Sequence, residues 1–115
     1  MNDSAAPEPT ITVVNAVAAG RFEIRVDGEQ AGFTEYLDAG VQRIFYHTEV
    51  DQRFAGRGLA GRLVEAALRE TAAAGKRIVP ICPFVHGYLD KHHDFDDIVD
   101  PVTPDAKDLV RRKKA

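Results

Sequence analysis

The first half of the chain alternates between apolar and polar residues, as half-buried strands do. The alternating segments are Ile11 to Val17, Arg21 to Val26, Gln30 to Leu37 and Val41 to Val50. In the second segment Phe22, Ile24 and Val26 share one face. Asp27-Gly28 and Asp38-Ala39-Gly40 are typical turns between antiparallel strands. We therefore predict an antiparallel meander whose first strand carries the weakest signal.

After residue 58 the hydrophobic period lengthens to that of a helix. The apolar residues of this segment are Leu59, Ala60, Leu63, Val64, Ala67 and Leu68. Their spacing predicts an amphipathic helix that ends at Gly75. Arg77 to Ile81 then predicts a short strand, parallel to the one ending at Val50 because a helix connects the two. Its proline indicates a bulge or a sheet edge, and Pro83 to Lys91 predicts a second short helix.

Composition limits what kind of protein this is. With 115 residues, 44% of them hydrophobic, the chain can bury one modest core. Its net charge of -3 predicts no long-range attraction to nucleic acid or to a membrane surface. We find no apolar run of about 18 residues and no signal peptide. The single cysteine, Cys82, cannot form an intramolecular disulfide, so we expect a cytoplasmic protein.

Both ends of the chain have the composition of tails. Residues 1–9 are small, polar and proline-containing, which predicts a disordered tail. Residues 101–115 combine prolines with the basic run Arg111 to Lys114, and we expect a solvated C-terminal tail there. A nucleic-acid-associated adaptor would have to rely on that basic run alone. The folded domain is therefore predicted to span residues 10–100.

A glycine-rich loop joins the predicted strand that ends at Val50 to the first predicted helix. Between Phe54 and Gly61 no Ser, Thr, Asp or Asn can cap the helix, so its first N–H groups lack a side-chain partner. Gly56 and Gly58 allow a group to approach the backbone, and the helix dipole favours negative charge. Arg53 and Arg57 flank the same turn and can pair with phosphate oxygens, although either can be an ordinary surface arginine.

The same loop also matches two nucleotide-binding patterns in part. Gly56, Gly58 and Gly61 spell G-x-G-x-x-G, but a dinucleotide site follows a parallel strand and needs an acidic residue at the end of the next strand, where Cys82-Pro83 stand here. A P-loop needs Lys and then Ser or Thr after its last glycine, and Gly58 is followed by Leu59. We reject both assignments.

Arg53-x-x-Gly56-x-Gly58, between a meander and an amphipathic helix, resembles the Gln/Arg-x-x-Gly-x-Gly/Ala signature of the GNAT superfamily of N-acetyltransferases. His47-Thr48-Glu49-Val50 and Pro80-Ile81-Cys82-Pro83-Phe84 with Tyr88 resemble, more narrowly, a short single-domain GNAT-like subfamily. The resemblance covers roughly Arg21 to Val99. It implies a minimal GNAT fold of the α/β (α+β) class, in which the strands on either side of the loop and helix splay apart to admit the pantetheine arm of acetyl-coenzyme A.

This resemblance also implies a set of cofactor-binding residues. They are Val50, Arg53, Phe54, Ala55, Gly56, Arg57, Gly58, Leu59 and Ala60. The loop would hold the pyrophosphate of coenzyme A, as it does in the superfamily. The helical pair that larger GNAT enzymes carry between their first strands, where the acceptor usually binds, has no counterpart in this sequence.

Four residues are candidates for catalysis of acetyl transfer. His47 and Glu49 are two apart in a strand, so both project from one face near its carboxyl end, and either can be the base. Alternatively, Glu49 is a solvated strand residue and His47 packs beside Phe45. Cys82 precedes a helix, where a thiolate is favoured, yet a lone cysteine is more often a small core residue. Tyr88 resembles the tyrosine that serves many GNAT enzymes as general acid.

The histidines and aspartates near the second helix raise the question of a metal. They are His86, Asp90, His92, His93, Asp94, Asp96 and Asp97. Their spacing matches no regular ligand pattern, so we expect a solvated segment and no metal. The resulting hypothesis is an acetyl-coenzyme A-dependent N-acetyltransferase acting on an unknown primary amine, without nucleic-acid or membrane partners. The alternative is a non-catalytic acyl-coenzyme A binding or regulatory module.

Overall fold

The computed structural model describes residues 8–114, so most of the predicted N-terminal tail, residues 1–7, lies outside the described residues. The strands are β1 (Ile11–Ala16), β2 (Arg21–Val26), β3 (Glu29–Ala39), β4 (Gln42–Val50) and β5 (Arg77–Pro80). The α-helices are α1 (Leu59–Ala73), α2 (Pro83–Lys91) and α3 (Pro104–Lys114). Within residues 8–114, no helix combines the length and apolar character needed to cross a bilayer.

The five strands form one mixed sheet in the order β1-β2-β3-β4-β5. The first four pair antiparallel, whereas β4 and β5 run parallel over four residue pairs, from Gln42–Arg77 to Phe45–Pro80. The predicted meander, helical crossover and parallel strand are thus confirmed. β5 is the last strand of the sheet, in agreement with the edge position that its proline indicates.

A bulge divides β4 into two halves. Glu35 of β3 lies opposite His47, and Tyr36 lies opposite Phe45, so Tyr46 has no residue opposite it. An extra residue of this kind re-aims the side chains that follow it. After the bulge, Thr48 contacts the core beneath the helices, and the side chain of His47 lies on the opposite face of the sheet.

The main core lies between one face of the sheet and α1. The helix buries a stripe at helical spacing, consisting of Leu59, Leu63, Val64, Ala67 and Leu68. This stripe packs against Phe22, Ile24 and Phe45 of the sheet, together with Val85 and Leu89 of α2. Helices α1 and α2 are therefore fixed by the same core.

Residues 104–114 form a helix, so the expectation of a solvated tail over 101–115 is wrong for that segment. Ala106 and Val110 are one turn apart in α3 and are buried. They pack against Ile44 and Val79 on the face of the sheet opposite α1. The four basic residues lie in the last turn of α3, where positive charge interacts favourably with the negative end of the helix dipole.

Local sequence signals for α3 exist but are short. Thr103 accepts a hydrogen bond from the backbone N–H of Ala106 at 3.1 Å, so it acts as a cap, and Pro104 occupies the first helical position. Few apolar residues support the helical period, and the surrounding charges hide it. A Thr-Pro pair before a charged segment is the signal that identifies this helix.

A charged ladder covers part of the sheet face opposite α1. The Glu23 carboxylate accepts hydrogen bonds from Arg21 Nε at 2.8 Å and from Arg25 Nη2 at 2.9 Å. These two guanidinium groups lower the pKa of Glu23, with Arg25 the larger cause and burial opposing the shift. Arg21 also lies over the Phe33 ring, 4.6 Å from its centroid. The ladder holds the carboxylate in its charged form.

Candidate functional site

The loop between β4 and α1 is held at one end and open at the other. Asp51 accepts a hydrogen bond from the backbone N–H of Arg53 at 2.9 Å, and Phe54 is buried in the core. Gly56 and Gly58 adopt left-handed conformations, with φ of 81° and 70°. Nothing lies within 4 Å of the position of a Cβ at either glycine. The backbone of the loop is therefore accessible to a ligand.

Helix α1 begins without a side-chain cap. Gly58 is its N-cap residue and supplies no side chain to accept a hydrogen bond. Acidic residues are also absent from the first turn of α1. Because the first N–H groups of a helix need partners and carry partial positive charge, this end of α1 favours an anion. The prediction of an uncapped start, made from the sequence, is confirmed.

The two arginines of the loop differ in their surroundings. Arg53 Nη1 lies 2.7 Å from Glu29 Oε2, and Arg53 Nη2 lies 3.3 Å from Asp51 Oδ2. The hydrogen bond to Asp51, followed by that to Glu29, raises the pKa of Arg53. Arg57 stacks over the Phe54 ring at 5.2 Å and pairs with no carboxylate in the described part of the chain. Arg57 is thus the cation of this loop that is available to an anion.

Strands β4 and β5 separate next to this loop. Their pairing ends at Phe45 and Pro80, and the backbone N–H of Cys82 then donates to the Phe45 carbonyl at 2.9 Å. Residues 46–50 of β4 continue beyond the end of β5, while the chain turns into α2 at Pro83. The resulting notch exposes the edge of β4 and leads to the loop.

His47 and Glu49 lie together beside this notch, as predicted. His47 Nε2 is 2.6 Å from Glu49 Oε2, and the side chains are 44% and 60% exposed. The His47 ring also lies 6.0 Å from the ring of Phe33. A carboxylate at this distance shares a hydrogen bond with the imidazole and orients the ring, so two groups that can accept a proton lie side by side.

On the other face of β4, a chain of hydroxyl and thiol groups runs into the core. Thr48 Oγ1 lies 2.9 Å from Thr34 Oγ1 and 3.2 Å from Cys82 Sγ. Cys82 is buried and is the N-cap residue of α2, although its side chain does not cap the helix. Sequence reasoning missed Thr34 and gave Thr48 no role. Because Thr48 lies between His47 and Glu49 in the strand, alternation places its side chain on the other face of the sheet, and Thr34 is its partner on β3.

Tyr88 lies on α2, on the side of that helix that faces α1. Its ring stacks on His92 with centroids 4.2 Å apart. Burial raises the pKa of Tyr88, and the charge of Glu65 adds to the shift. Tyr88 makes no hydrogen bond to His47, Glu49 or Cys82 among the described residues. The structure thus brings His47 and Glu49 together but leaves Tyr88 apart from them.

Two cavities flank α2. A cavity of about 360 Å³ lies between α1 and α2 and is lined by Gly61, Pro83, Phe84, Gly87, Tyr88, Lys91 and His92. The other, of about 590 Å³, contains the pairs His86–Asp90 and His93–Asp96, with N–O distances of 3.4 and 3.2 Å. Within residues 8–114, no three His, Cys, Asp or Glu side chains are placed to hold a metal ion together.

Comparison with known proteins extends this description. A sequence model of the family described as GCN5-related N-acetyl-transferase matches residues 21–98. Comparison with curated protein sequences finds no match. Among solved structures, a GCN5-like protein of Staphylococcus aureus determined by NMR is 18% identical with a TM-score of 0.59, over 83% of this chain and 91% of that one. An aminoglycoside acetyltransferase from an uncultured soil metagenomic sample, solved with sisomicin, is 14% identical with a TM-score of 0.44, over 83% and 56%.

The family match contains the whole of the notch and the loop. It begins at the first residue of β2 and extends beyond the end of α2. The Staphylococcus aureus structure shares the arrangement of the mixed sheet and helices. The chain therefore belongs to the GCN5-related N-acetyltransferase family, a family of acetyltransferases that generally use acetyl-coenzyme A.

Proposed function

We propose that this protein binds acetyl-coenzyme A and transfers its acetyl group to a primary amine. The observation that carries the proposal is that the uncapped N-terminus of α1 follows the notch-forming segment of β4, residues 46–50, which contains both His47 and Glu49. The segment of β4 that would line the channel for an extended arm thus also carries the proton-accepting pair, and the loop after it leads to the anion site. We place the protein in the cytoplasm, where the free thiol of Cys82 stays reduced.

The loop residues fit the pyrophosphate of coenzyme A. Backbone N–H groups from Gly56 to Ala60 would donate to its oxygens, supported by the dipole of α1. Arg57 would add a charge-assisted hydrogen bond, because its guanidinium is not held by a carboxylate. Arg53, by contrast, would fix the loop through Glu29 and Asp51, so its contribution to binding would be indirect.

The notch fits the pantetheine arm. Residues 46–50 of β4, ending at Val50, extend past β5 and offer an unpaired strand edge, and the amides of pantetheine can bond to such an edge as a strand does. The cavity between α1 and α2, which has Phe84 on its wall, would receive another part of the cofactor. Phe84 is 46% exposed, so a ligand in this cavity would remove apolar surface of its ring from water.

Acetyl-coenzyme A supplies an acetyl group activated as a thioester. Glu49, paired with His47, would accept the proton that the acceptor ammonium must lose before it becomes a nucleophile. A positioned general base of this kind contributes about 10²- to 10⁴-fold to rate. The pair is exposed on its outer side, which gives the amine access to it from solvent.

Tyr88 and Cys82 have less direct roles in this proposal. The raised pKa of Tyr88 keeps its phenol protonated, as a donor to the departing thiolate must be, but the side chain would have to approach the notch from the α1 side of α2. Cys82 is only 3% exposed and is bonded to Thr48, which favours a packing role over that of a nucleophile. We therefore expect direct transfer to the amine.

A non-catalytic acyl-coenzyme A binding module is the second candidate. The exposure of His47 and Glu49, at 44% and 60%, favours it, because a site with no wall on the acceptor side positions an amine poorly. Binding and turnover must therefore be measured separately.

The test combines ligand-dependent unfolding with a transfer assay. Acetyl-coenzyme A at roughly a hundred times its dissociation constant should stabilise the protein by about 2.7 kcal/mol. A panel of primary amines with mass detection should then reveal an acetylated product that Glu49→Gln fails to form while it still binds the ligand. Stabilisation without any product would support the binding module. No stabilisation at high ligand concentration would refute both candidates.

A further inference from the structure

The two edges of the sheet differ in whether another segment covers them. The outer edge of β5 is covered, because Val99 forms a parallel bridge with Ile78 and the Asp100 N–H donates to the Ile78 carbonyl at 2.8 Å. β1 is the strand at the opposite end of the sheet. Among residues 8–114, no strand pairs with its outer side. Within the part of the chain that the structure describes, one sheet edge is thus closed and the other is open.

The hydrogen-bond register identifies the groups that face outward from β1. The backbone N–H of Asp27 donates to the Thr10 carbonyl at 2.8 Å, so these two residues form a hydrogen-bonded pair. Such pairs alternate along an antiparallel ladder. The residues of β1 that bond to β2 are therefore Thr12, Val14 and Ala16. The N–H and C=O groups of Ile11, Val13 and Asn15 point away from the sheet.

This edge lacks the features that normally prevent edge-to-edge pairing. Soluble proteins protect exposed strands with lysines, prolines, inward charges or bulges. The segment Ile11–Ala16 has no charged residue and no proline, and its pairing with β2 shows no register shift. Four of its six residues are β-branched, which favours strand pairing. An edge of this kind is suited to bind another strand.

We propose that β1 of one copy pairs antiparallel with β1 of a second copy across a twofold axis at Val13. In this register all three outward-facing residues of β1 are paired, with Ile11 opposite the partner's Asn15 and Val13 opposite the partner's Val13, whereas an axis at Thr12 or Val14 would pair only two of them. The ladder then contains about six main-chain hydrogen bonds. No like charges oppose each other across it, so the segment is complementary to itself. The product is a continuous sheet made of two copies.

A groove beside β1 is a second feature that favours another copy of the chain as the partner. Ile11 and Val13 form the floor of a groove of about 270 Å³, which α1 borders with Arg62, Glu65, Ala66 and Arg69. Both valines at the twofold axis lie on this side of the sheet, so the second copy would cover the apolar floor while the charged residues of α1 stay at the rim. β1 is also the strand furthest from the loop and the notch in the sheet order, so the dimer does not depend on the proposed acetyl transfer.

Light scattering coupled to gel filtration of the full chain tests the proposal. We expect a mass of twice the 12.6 kDa of the chain at high concentration, and dissociation on dilution. Val13→Lys and Val13→Glu should each give monomers, because each places like charges opposite one another at the axis. Mixing the two variants should restore a dimer. Val17→Lys is the control, since Val17 is 72% exposed but lies outside the strand, and it should leave the dimer intact.

A variant of the backbone separates pairing from side-chain effects. Ile11→Pro removes an outward N–H at the first residue of the strand, where proline is tolerated, and should weaken the dimer without unfolding the monomer. A chain that is monomeric at the highest attainable concentration overturns the proposal. So does a dimer that persists in both Val13 variants, which would indicate another surface, or a mixture of the charged variants that stays monomeric.

Discussion

The replacement Gly32→Ala probes the contact between β3 and β4 directly beside the proposed site. Gly32 lies opposite Val50 in the β3–β4 register. A Cβ at position 32 would lie 2.6 Å from the Glu49 carbonyl oxygen and 3.1 Å from Val50 Cα. Both of these are backbone atoms, so no rotamer change can relieve the overlap. The strands would have to separate locally by about 0.8 Å to restore ordinary contact.

The size of the effect follows from this overlap. Forcing one extra carbon into a packed site costs about 1–3 kcal/mol, which at about 4 °C per kcal/mol lowers the melting temperature by about 4–12 °C. The control is Gly61→Ala, the same added methyl group within α1, where nothing lies within 4 Å of the new Cβ. Alanine favours a helix over glycine by about 1 kcal/mol, so this variant should be stabilised.

Urea unfolding followed by circular dichroism measures both variants, and an unchanged slope with denaturant would show that the native state stays compact. Since Gly32→Ala displaces Glu49 and Val50, we also expect the affinity for acetyl-coenzyme A to fall. A Gly32→Ala protein within about 0.5 kcal/mol of the original, the range of an unremarkable surface change, would refute the close approach of β3 and β4.

Three further predictions concern charge and the thiol. Glu23→Gln should lower the free energy of unfolding by about 1–2 kcal/mol at pH 7. Because the pKa of Glu23 is lowered in the folded state, this stabilisation is complete above about pH 4.3 and is lost as the pH falls through the folded-state pKa. The unfolding free energies of the two proteins, measured with urea, should therefore converge in acid. Arg57→Ala should weaken acetyl-coenzyme A binding about tenfold in calorimetry, whereas Arg53→Ala should mainly lower stability, and the reverse order would contradict our assignment of the loop. Cys82→Ala should keep its turnover and lose about 1–2 kcal/mol of stability with the contact to Thr48, and abolished turnover would instead favour an acyl-cysteine.

The fold was largely predictable because its elements carry strong local signals. Alternation identifies β2 with its exact bounds, and the heptad-like stripe beginning at Leu59 identifies α1. The helix α3 was not predicted. Its two buried residues, Ala106 and Val110, can be recognised as core residues only when the apolar sheet face at Ile44, which they cover, is known. Local patterns report which face of an element is apolar, whereas they do not report which surface is left for it to cover.

For the candidate site, the sequence identifies positions but not partners. His47 and Glu49 could be placed on one face of a strand by alternation alone. The division of roles between Arg53 and Arg57 could not be predicted, because it depends on Glu29, which reaches the loop from the start of β3. The chain from Thr34 through Thr48 to Cys82 was hidden for the same reason, since it joins three elements that are distant in sequence.

The order of strands in the sheet has a consequence for how the protein folds. Every neighbouring pair in the sheet is also consecutive along the chain, so β1 to β4 can form through short hairpins at little cost in loop entropy. Residues 51–76 separate β4 from β5 along the chain, and the two strands share only four residue pairs. Their pairing should therefore form later than the hairpins and open before them. Among the amides that are hydrogen-bonded between neighbouring strands, those that join β4 and β5 should therefore exchange faster than those that join β2 and β3. The proposed channel for the ligand lies at the end of this pairing, so the strand contact that closes the longest loop is also the one beside which a long cofactor would enter and leave.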